Sequence, residues 1–340
     1  MKTTKPLDSL LSILTYRRQH DSEGEREFIE TYLKGFDTLT NKEGEILAYI
    51  YKNHNKKAKT NILWSCHIDT MHHKTPELIT QEVFVDEFGT AFVDSTSDCL
   101  GADDGAGVFL LLEMINANVE GTYIFHRGEE KGCWGSSQVA ELHADYLKQF
   151  THAIAFDRRG NTSIITHQRG DRCASDNLGK ALMKLFGNGY ELDPTGVYTD
   201  TAEYTHLIGE CLNISIGYQS EHTSSEILDT NHVLNLRDTI IAYDWSRQSL
   251  PTERKPEKRQ AYSFFGSHNR LTTHELPSYD DLVYSDYKTM LKWVKSANPE
   301  DIANVIYDLT DQIQYMEDQH YYAEAMNDPD AELDRVPYHY

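Results

Sequence analysis

Apolar positions follow two spacings that alternate along the chain. Continuous apolar runs, which are typical of buried strands, occupy residues 46–51, 61–64, 122–125, 153–156, 163–165 and 213–216. Apolar residues at helical spacing lie at 107–115 and 178–186, and also at 8–34, where the acidic segment 21–25 predicts a break between two helices. Strands that alternate with helices predict an α/β fold with a largely parallel or mixed sheet.

The pattern changes after about residue 250. Residues 249–277 are charged and contain prolines, which predicts a linker after a main domain at 1–248. Residues 278–326 predict a helical C-terminal extension of two amphipathic helices, and 327–340 a polar tail. Such an extension favours a homo-oligomer, although the tyrosine-rich stretch at 315–322 is also compatible with binding to another protein.

Composition narrows the classes of function. The 340-residue chain has a formal net charge of −22, which argues against nucleic acids and membrane surfaces as partners because they require clustered Lys and Arg. No apolar run approaches the ~18 residues of a membrane span, and residues 1–20 lack the pattern of a signal peptide. The five cysteines form no C-x-x-C pair, which is typical of a reducing compartment, so we expect a cytoplasmic protein.

Five short segments rich in acidic residues or histidine come just after strand-like runs. They lie at 65–70, 101–105, 128–132, 156–158 and 221–222. In open α/β sheets, ligands bind beyond the carboxyl ends of the strands, so the segments are expected to meet at one site. Their candidate side chains are His67, Asp69, Asp103, Asp104, Glu129, Glu130, Asp157 and His222.

Taken singly, the first segments have simpler explanations. His67 and Asp69 are two residues apart at a strand end, where they face the same way; this suits a metal ligand with its supporting carboxylate, but also a structural His–Asp pair. Asp103 and Asp104 repel each other unless positive charge compensates them, yet they are also typical of a helix N-cap followed by an acidic first turn.

The remaining segments are equally ambiguous alone. Glu129–Glu130 suits a metal ligand beside a proton acceptor, but acidic pairs are common in surface turns. Asp157 follows a buried run, where Arg158 or Arg159 is able to neutralise it in a salt bridge. His222 alone is compatible with an ordinary loop histidine. The five segments in this order favour a shared metal site.

In that order and spacing the segments resemble the co-catalytic di-zinc exopeptidase superfamily, over roughly residues 8–245. The resemblance implies a three-layer, phosphorylase/hydrolase-like fold in which helices cover both faces of a mixed, mostly parallel sheet, and it makes residues 1–248 the catalytic domain. It also implies a metallopeptidase that holds two divalent metal ions. Imidazole and carboxylate ligands suit zinc, with Mn or Co as substitutes.

The resemblance also assigns roles. The implied metal ligands are His67, Asp103, Glu130, Asp157 and His222. Asp103 bridges both ions, commonly with a cis peptide bond to Asp104. His67 and Glu130 complete one ion's site, and Asp157 and His222 complete the other.

Two further residues are implied to be catalytic. Glu129 is the general base. It accepts a proton from a water molecule held between two ions about 3.5–4 Å apart, and this water becomes the bridging hydroxide. Asp69 orients the His67 imidazole. In addition, Asp200 or Glu203 is placed near the substrate, where either is able to meet a free α-amine, and Tyr218 is placed near the pocket.

The spacing between two ligands narrows the activity. Asp157 and His222 are 65 residues apart, and this interval already has to contain two strands and a helix, so no lid domain is inserted there. The chain therefore resembles single-domain aminopeptidases, which remove N-terminal residues from peptides. One alternative is an amidohydrolase that acts on N-acylated amino acids or similar small amides. Another is a catalytically silent, metal-stabilised binding protein, which would have no use for a base at Glu129.

Overall fold

The computed structural model describes residues 5–53, 61–73, 78–93, 97–168, 170–187, 189–245 and 249–256. They belong to the first of two units, residues 1–259. The predicted C-terminal helices, the polar tail and most of the predicted linker lie outside the described residues. Residues 249–256, where the linker was expected to begin, have no regular secondary structure but lie against the unit: the Arg254 guanidinium donates to the carbonyl oxygens of Thr205 and Gly209 at 3.0 and 2.9 Å.

The described elements alternate as the apolar pattern predicts. The helices are Pro6–Leu14 (α1), Glu23–Tyr32 (α2), Ala102–Asn116 (α3), Trp134–Leu142 (α4), Ala144–Leu147 (α5), Asp176–Phe186 (α6) and Thr230–Ala242 (α7). The strands are Asp37–Thr40 (β1), Ile46–Asn53 (β2), Ile62–His67 (β3), Val83–Val85 (β4), Thr90–Val93 (β5), Gly121–His126 (β6), His152–Arg158 (β7), Ser163–Ile165 (β8), His167–Gln168 (β9), Asp171–Arg172 (β10), Glu191–Asp193 (β11), Glu210–Ser215 (β12), Tyr218–Gln219 (β13) and Ile227–Asp229 (β14). Short 3₁₀ turns occupy Glu129–Lys131 and Asp200–Tyr204.

The main sheet has eight strands in the order β1-β2-β6-β3-β7-β12-β8-β11. Its centre is parallel, because β3 pairs in parallel with both β6 and β7, and β7 with β12. Antiparallel pairs join β1, β2 and β6 on one side and β12 with β8 on the other. The expected α/β fold with a mixed, mostly parallel sheet is confirmed.

Both faces of the sheet are covered. Successive residues of β3 belong to two different apolar clusters: Trp64 lies in the one that contains Phe109 of α3 and Val233 of α7, and Leu63 in the one that contains Val139 of α4. This alternation is expected when neighbouring side chains of a strand point to opposite faces. The fold therefore has three layers, with helix, sheet and helix stacked as expected.

The break between the first two helices lies where the acidic segment predicts it. Helix α2 begins after Ser22, whose hydroxyl accepts a hydrogen bond from the Glu25 amide at 3.1 Å. This side-chain cap satisfies one of the amides that the first helical turn leaves without a partner. The helix buries Phe28 against the core.

Between Asp157 and His222 the chain forms β8 to β13, α6 and a 3₁₀ turn. Only residues 169 and 188 of this interval are not described, so its described part contains no inserted domain. Among the described helices, none combines the length and apolar character needed to cross a bilayer.

Candidate metal centre

The parallel centre of the sheet brings the predicted segments together. Strand β3 ends at His67, β7 carries Asp157 one residue before its end, and β6 ends three residues before Glu129. Because these strands are neighbours that run in the same direction, their carboxyl ends meet at one edge. The same edge receives Asp103, at the start of α3, and His222, from the loop after β13.

The first group of possible ligands consists of His67, Asp103 and Asp157. The Nε2 atom of His67 lies 3.0 Å from Oδ1 of Asp103 and 3.6 Å from Oδ1 of Asp157. All three residues are buried, and His67 is 1% exposed. This group therefore lies at the inner side of the site.

The second group consists of Asp103, Glu130 and His222. The Nε2 atom of His222 lies 3.2 Å from Oδ2 of Asp103 and 2.9 Å from Oε1 of Glu130. The His222 side chain is 42% exposed, so this group opens to solvent. Asp103 belongs to both groups and presents a different carboxylate oxygen to each, which is the arrangement of a bridging ligand.

The groups differ from the expected pairing. The sequence resemblance paired His67 with Glu130, and Asp157 with His222. In the structure His67 lies closest to Asp103 and Asp157, and His222 to Glu130; a third group does join His67 with Glu129 and Glu130, whereas Asp157 and His222 share no group. The reason is the strand order, since β3 and β7 are direct neighbours in which Ser65 pairs with Ala155, and His67 and Asp157 each follow two residues later.

The donor atoms fit divalent metal ions. Ligands held about 2.0–2.1 Å from a tetrahedral zinc ion lie roughly 3.3 Å from one another, and the four distances above run from 2.9 to 3.6 Å. Oε1 of Glu130 is buried and has no well-directed hydrogen-bond donor, as expected for an atom that binds a cation. Four carboxylates converge here, those of Asp103, Glu129, Glu130 and Asp157, and two dications would balance their charge.

The pKa values indicate that the carboxylates of the site carry negative charge that the neighbouring protein groups do not fully compensate. Burial, reinforced by Asp103, raises the pKa of Asp157 to about 6 and that of Glu130 to about 7. Burial also raises the pKa of Glu129 well above its ordinary value, and Asp157 and Asp200 act in the same direction. Although burial opposes it, contact with Asp103 and Glu130 raises the pKa of His222 to about 11. Cations beside these carboxylates would relieve the repulsion.

A buried carboxylate not singled out by the sequence analysis holds the loop that carries Asp103. Glu226 is 1% exposed, and its two oxygens accept hydrogen bonds from the Gly101 and Asp103 amides at 2.8 and 3.0 Å. Glu226 follows His222 by four residues, so it joins the two loops of the second group. The expected cis peptide bond between Asp103 and Asp104 is confirmed. The only sequence signal for Glu226 was its nearness to His222.

Asp69 acts on the backbone of the Glu129 segment. Its two carboxylate oxygens accept hydrogen bonds from the Glu129 and Glu130 amides, both at 3.1 Å. The His67 ring is instead held through its Nδ1 atom by the backbone carbonyl of Asp69 at 3.0 Å, while the Asp69 carboxylate lies 3.7 Å away. Asp69 therefore positions both His67 and the Glu129–Glu130 turn, which was expected only for the histidine.

Asp157 is held by hydroxyl groups. Its carboxylate accepts hydrogen bonds from Thr199 at 2.7 Å and from Tyr218 at 3.0 Å. The described ion pairs of Arg158 and Arg159 are with Asp193 and Glu221 instead, so the salt bridge considered for Asp157 is not formed. Tyr218 is buried with its hydroxyl at the site.

Asp200 is buried against His126. It is 1% exposed, and its Oδ2 atom lies 3.1 Å from Nδ1 of His126, whose Nε2 atom contacts the Tyr204 hydroxyl at 2.6 Å. The pKa of Asp200 is lowered, against the effect of burial, by this histidine. One carboxylate oxygen of Asp200 is therefore held by His126, and the contact of Asp200 or of Glu203, which is also buried, with a free α-amine stays a prediction.

Comparison with known proteins connects this geometry to a family. The family model for peptidase family M28 matches residues 48–219, about half of the 340-residue chain. That range contains four of the five candidate ligands; His222 lies three residues beyond it. A search of curated protein sequences gives no significant match.

Solved structures share the fold at low sequence identity. Aminopeptidase PepT from Bacillus cereus is 12% identical with a TM-score of 0.58, over 71% of this chain and 97% of that one. A tripeptidase from Staphylococcus aureus is 14% identical with a TM-score of 0.54, over 72% and 98%. The TET1 peptidase of Pyrococcus horikoshii, which can assemble into a tetrahedron or an octahedral shell, is 15% identical with a TM-score of 0.50, over 70% and 98%.

Proposed function

The chain belongs to peptidase family M28, and we propose that it is an aminopeptidase that removes residues from the free N-terminus of peptides with the help of two divalent metal ions, most simply zinc. Membership of this family confirms the expected superfamily, that of the di-zinc exopeptidases. It also supports the expected activity, metal-dependent hydrolysis of peptides. The observation that carries the proposal is the pair of ligand groups that share Asp103, with Glu129 beside them.

The proposed roles follow from the contacts. His67, Asp103 and Asp157 would hold one ion, and Asp103, Glu130 and His222 the other. Bound there, the ions would polarise the scissile carbonyl and promote ionisation of the attacking water.

Glu129 is proposed as the general base. Its carboxylate lies within 4.8 Å of the donor atoms of His67 and Glu130, near both groups. Burial raises the pKa of Glu129, and a raised pKa brings a carboxylate closer to the neutral range in which a base both accepts and returns a proton. Glu129 would accept the proton of the water and pass it to the leaving amine. The Asp69 carboxylate, through the two amides it binds, would keep Glu129 in place.

Two features support an aminopeptidase over the alternatives. The described interval between Asp157 and His222 contains no lid domain, and two of the structural neighbours reported above are an aminopeptidase and a tripeptidase. A silent binding protein would have no need for the Glu129 carboxylate beside the ligands, on a turn whose Glu129 and Glu130 amides donate to Asp69.

The test is a substrate panel with zinc-loaded protein. We expect release of the N-terminal residue from unblocked di- and tripeptides, and loss of that release when the same peptides are N-acetylated. Cleavage of the N-acetylated substrates alone would establish an amidohydrolase, and bound metal without cleavage of either would establish a silent binding protein.

A variant tests the proposed base separately. Glu129→Gln should keep the zinc content of the parent protein and lower kcat about 100-fold or more, as expected when a general base is removed. Cleavage by Glu129→Gln at the parent rate would show that Glu129 is not the base.

A further inference from the structure

An open cleft lies beside the metal centre. It has a volume of about 510 Å³ and is lined by Arg158, Arg159, Gly160, Ser163, Gln219 and Ser220. Both sides of the cleft continue directly from site residues, since Arg158 follows Asp157 and Ser220 comes two residues before His222. The cleft and the metal centre are therefore built on the same two segments of the chain.

The two arginines of the cleft have weak partners. Nη2 of Arg158 is 3.4 Å from the Thr195 carbonyl oxygen and 3.7 Å from Oδ2 of Asp193, and its Nε atom is buried without a hydrogen-bond partner. A buried N–H group of this kind is usually satisfied, and a ligand is one way to satisfy it.

Arg159 is more accessible. Its side chain is 61% exposed, and Nη1 lies 3.4 Å from Oε1 of Glu221. Ion pairs this long and this exposed contribute little, so a substrate group is able to replace Glu221 at small cost. Neither arginine is occupied by Asp157, because Thr199 and Tyr218 hold that carboxylate.

We propose that this cleft binds a carboxylate of the peptide substrate. The inference rests on the proposed peptidase function and specifies its substrate class. Guanidinium groups bind carboxylates with paired, charge-assisted hydrogen bonds, and Ser163, Gln219 and Ser220 add polar side chains to the lining. Two adjacent cations would also favour an anionic group locally, on a chain whose formal net charge is −22. The carboxylate belongs either to an acidic side chain of the peptide or to the C-terminus of a short peptide.

The experiment compares matched substrates on zinc-loaded protein. One pair is glutamyl-leucine amide against glutaminyl-leucine amide, and the other is leucyl-leucine against leucyl-leucine amide. We expect kcat/KM to favour the carboxylate-bearing member of one pair by roughly 10- to 100-fold, the range for hydrogen bonds to charged groups. Selectivity in the first pair identifies a side-chain carboxylate, and selectivity in the second a C-terminal one.

Variants tie the selectivity to the cleft. Arg158→Met and Arg159→Met should each reduce the selectivity ratio about tenfold, whereas Arg26→Met, which removes an exposed arginine of α2, should keep it. If Arg158→Met fails to fold, the exposed Arg159 and the charge-retaining Arg158→Lys provide the same comparison. Equal kcat/KM within both pairs, or selectivity that survives in both methionine variants, would overturn the proposal.

Failure of the proposed function gives a different result. If no peptide is cleaved, that function is wrong. Calorimetry then tests whether the cleft binds a carboxylate, with glutamyl-leucine amide, glutaminyl-leucine amide, leucyl-leucine and leucyl-leucine amide as ligands. Tighter binding of the carboxylate member of either pair, lost in Arg158→Met, supports the cleft as a carboxylate site; equal binding within both pairs contradicts it.

Discussion

Replacing Glu226 with glutamine tests how the bridging ligand is held. The wild-type carboxylate accepts hydrogen bonds from the Gly101 and Asp103 amides, and the glutamine side chain is able to accept only one of them. Its NH₂ group would face the N–H of the other amide, and two donors form no hydrogen bond. The loop that carries Asp103 then loses one of the two bonds that fix it.

The size of the effect follows from the type of bond. Burial raises the pKa of Glu226 to about 8, while the two amide donors favour its charged form. A hydrogen bond to a charged group contributes about 1.5–3 kcal/mol, and about 1.4 kcal/mol corresponds to a factor of ten in affinity. We therefore expect Glu226→Gln to weaken zinc binding roughly 10- to 100-fold, the range found when a residue that supports a metal ligand is removed. Competition with a chelator of known affinity measures the change.

Glu210 provides a matched control. It is also fully buried, and its carboxylate accepts hydrogen bonds from the Ser175, Glu253 and Arg254 amides at 2.6, 2.8 and 2.9 Å. Glu210→Gln thus removes the same kind of bond away from the metal centre. Its zinc affinity should stay within about twofold of wild type, on the scale of 1.4 kcal/mol per tenfold. Equal zinc affinity of Glu226→Gln and Glu210→Gln would refute the positioning role.

Two further predictions concern metal content and pH. His222→Ala should lower the zinc content from two ions per chain towards one, because His67 with Asp103 and Asp157 still forms the inner group; elemental analysis that still finds two would contradict this. His72 is buried, and burial lowers its pKa from 6.5 to about 4. As pH falls, the unfolded chain therefore takes up a proton on His72 before the folded chain does. Between pH 7 and 5 this should lower the free energy of unfolding of the parent protein by about 2 kcal/mol, and His72→Gln should lack this loss. Urea unfolding at both pH values measures the difference, and equal losses in both proteins would contradict the reasoning.

The sequence was sufficient to predict which residues that follow strands of the main sheet lie at the site. His67, Glu129, Glu130 and Asp157 each come at or soon after the end of a continuous apolar run, so local pattern and the geometry of parallel sheets placed them at one edge. The order of strands is a long-range property that no local pattern contains. The pairing of His67 with Asp157 was missed for that reason.

Elements that depend on distant partners were also missed. Strands β4 and β5 join β13 and β14 in a four-stranded sheet, whose β14–β5 pair joins Leu228 to Ala91 across the sequence. Helix α4 was not among the helices predicted from the sequence. A Cβ atom on Gly135, inside that helix, would lie 2.3 Å from the Arg127 carbonyl oxygen, so this glycine permits close packing against the neighbouring strand end.

Supporting hydrogen bonds escape sequence analysis for the same physical reason. Thr199 and Glu226 are ordinary polar residues until folding places them against Asp157 and the Asp103 amide. The role of Asp69 likewise depends on the exact position of the Glu129–Lys131 turn.

The most direct test of the metal centre is X-ray diffraction from zinc-loaded crystals at wavelengths on either side of the zinc absorption edge. The account predicts two anomalous peaks about 3.5–4 Å apart. Both should contact Asp103, one together with His67 and Asp157 and the other together with Glu130 and His222. A single peak, or peaks that do not share the Asp103 carboxylate, would contradict it.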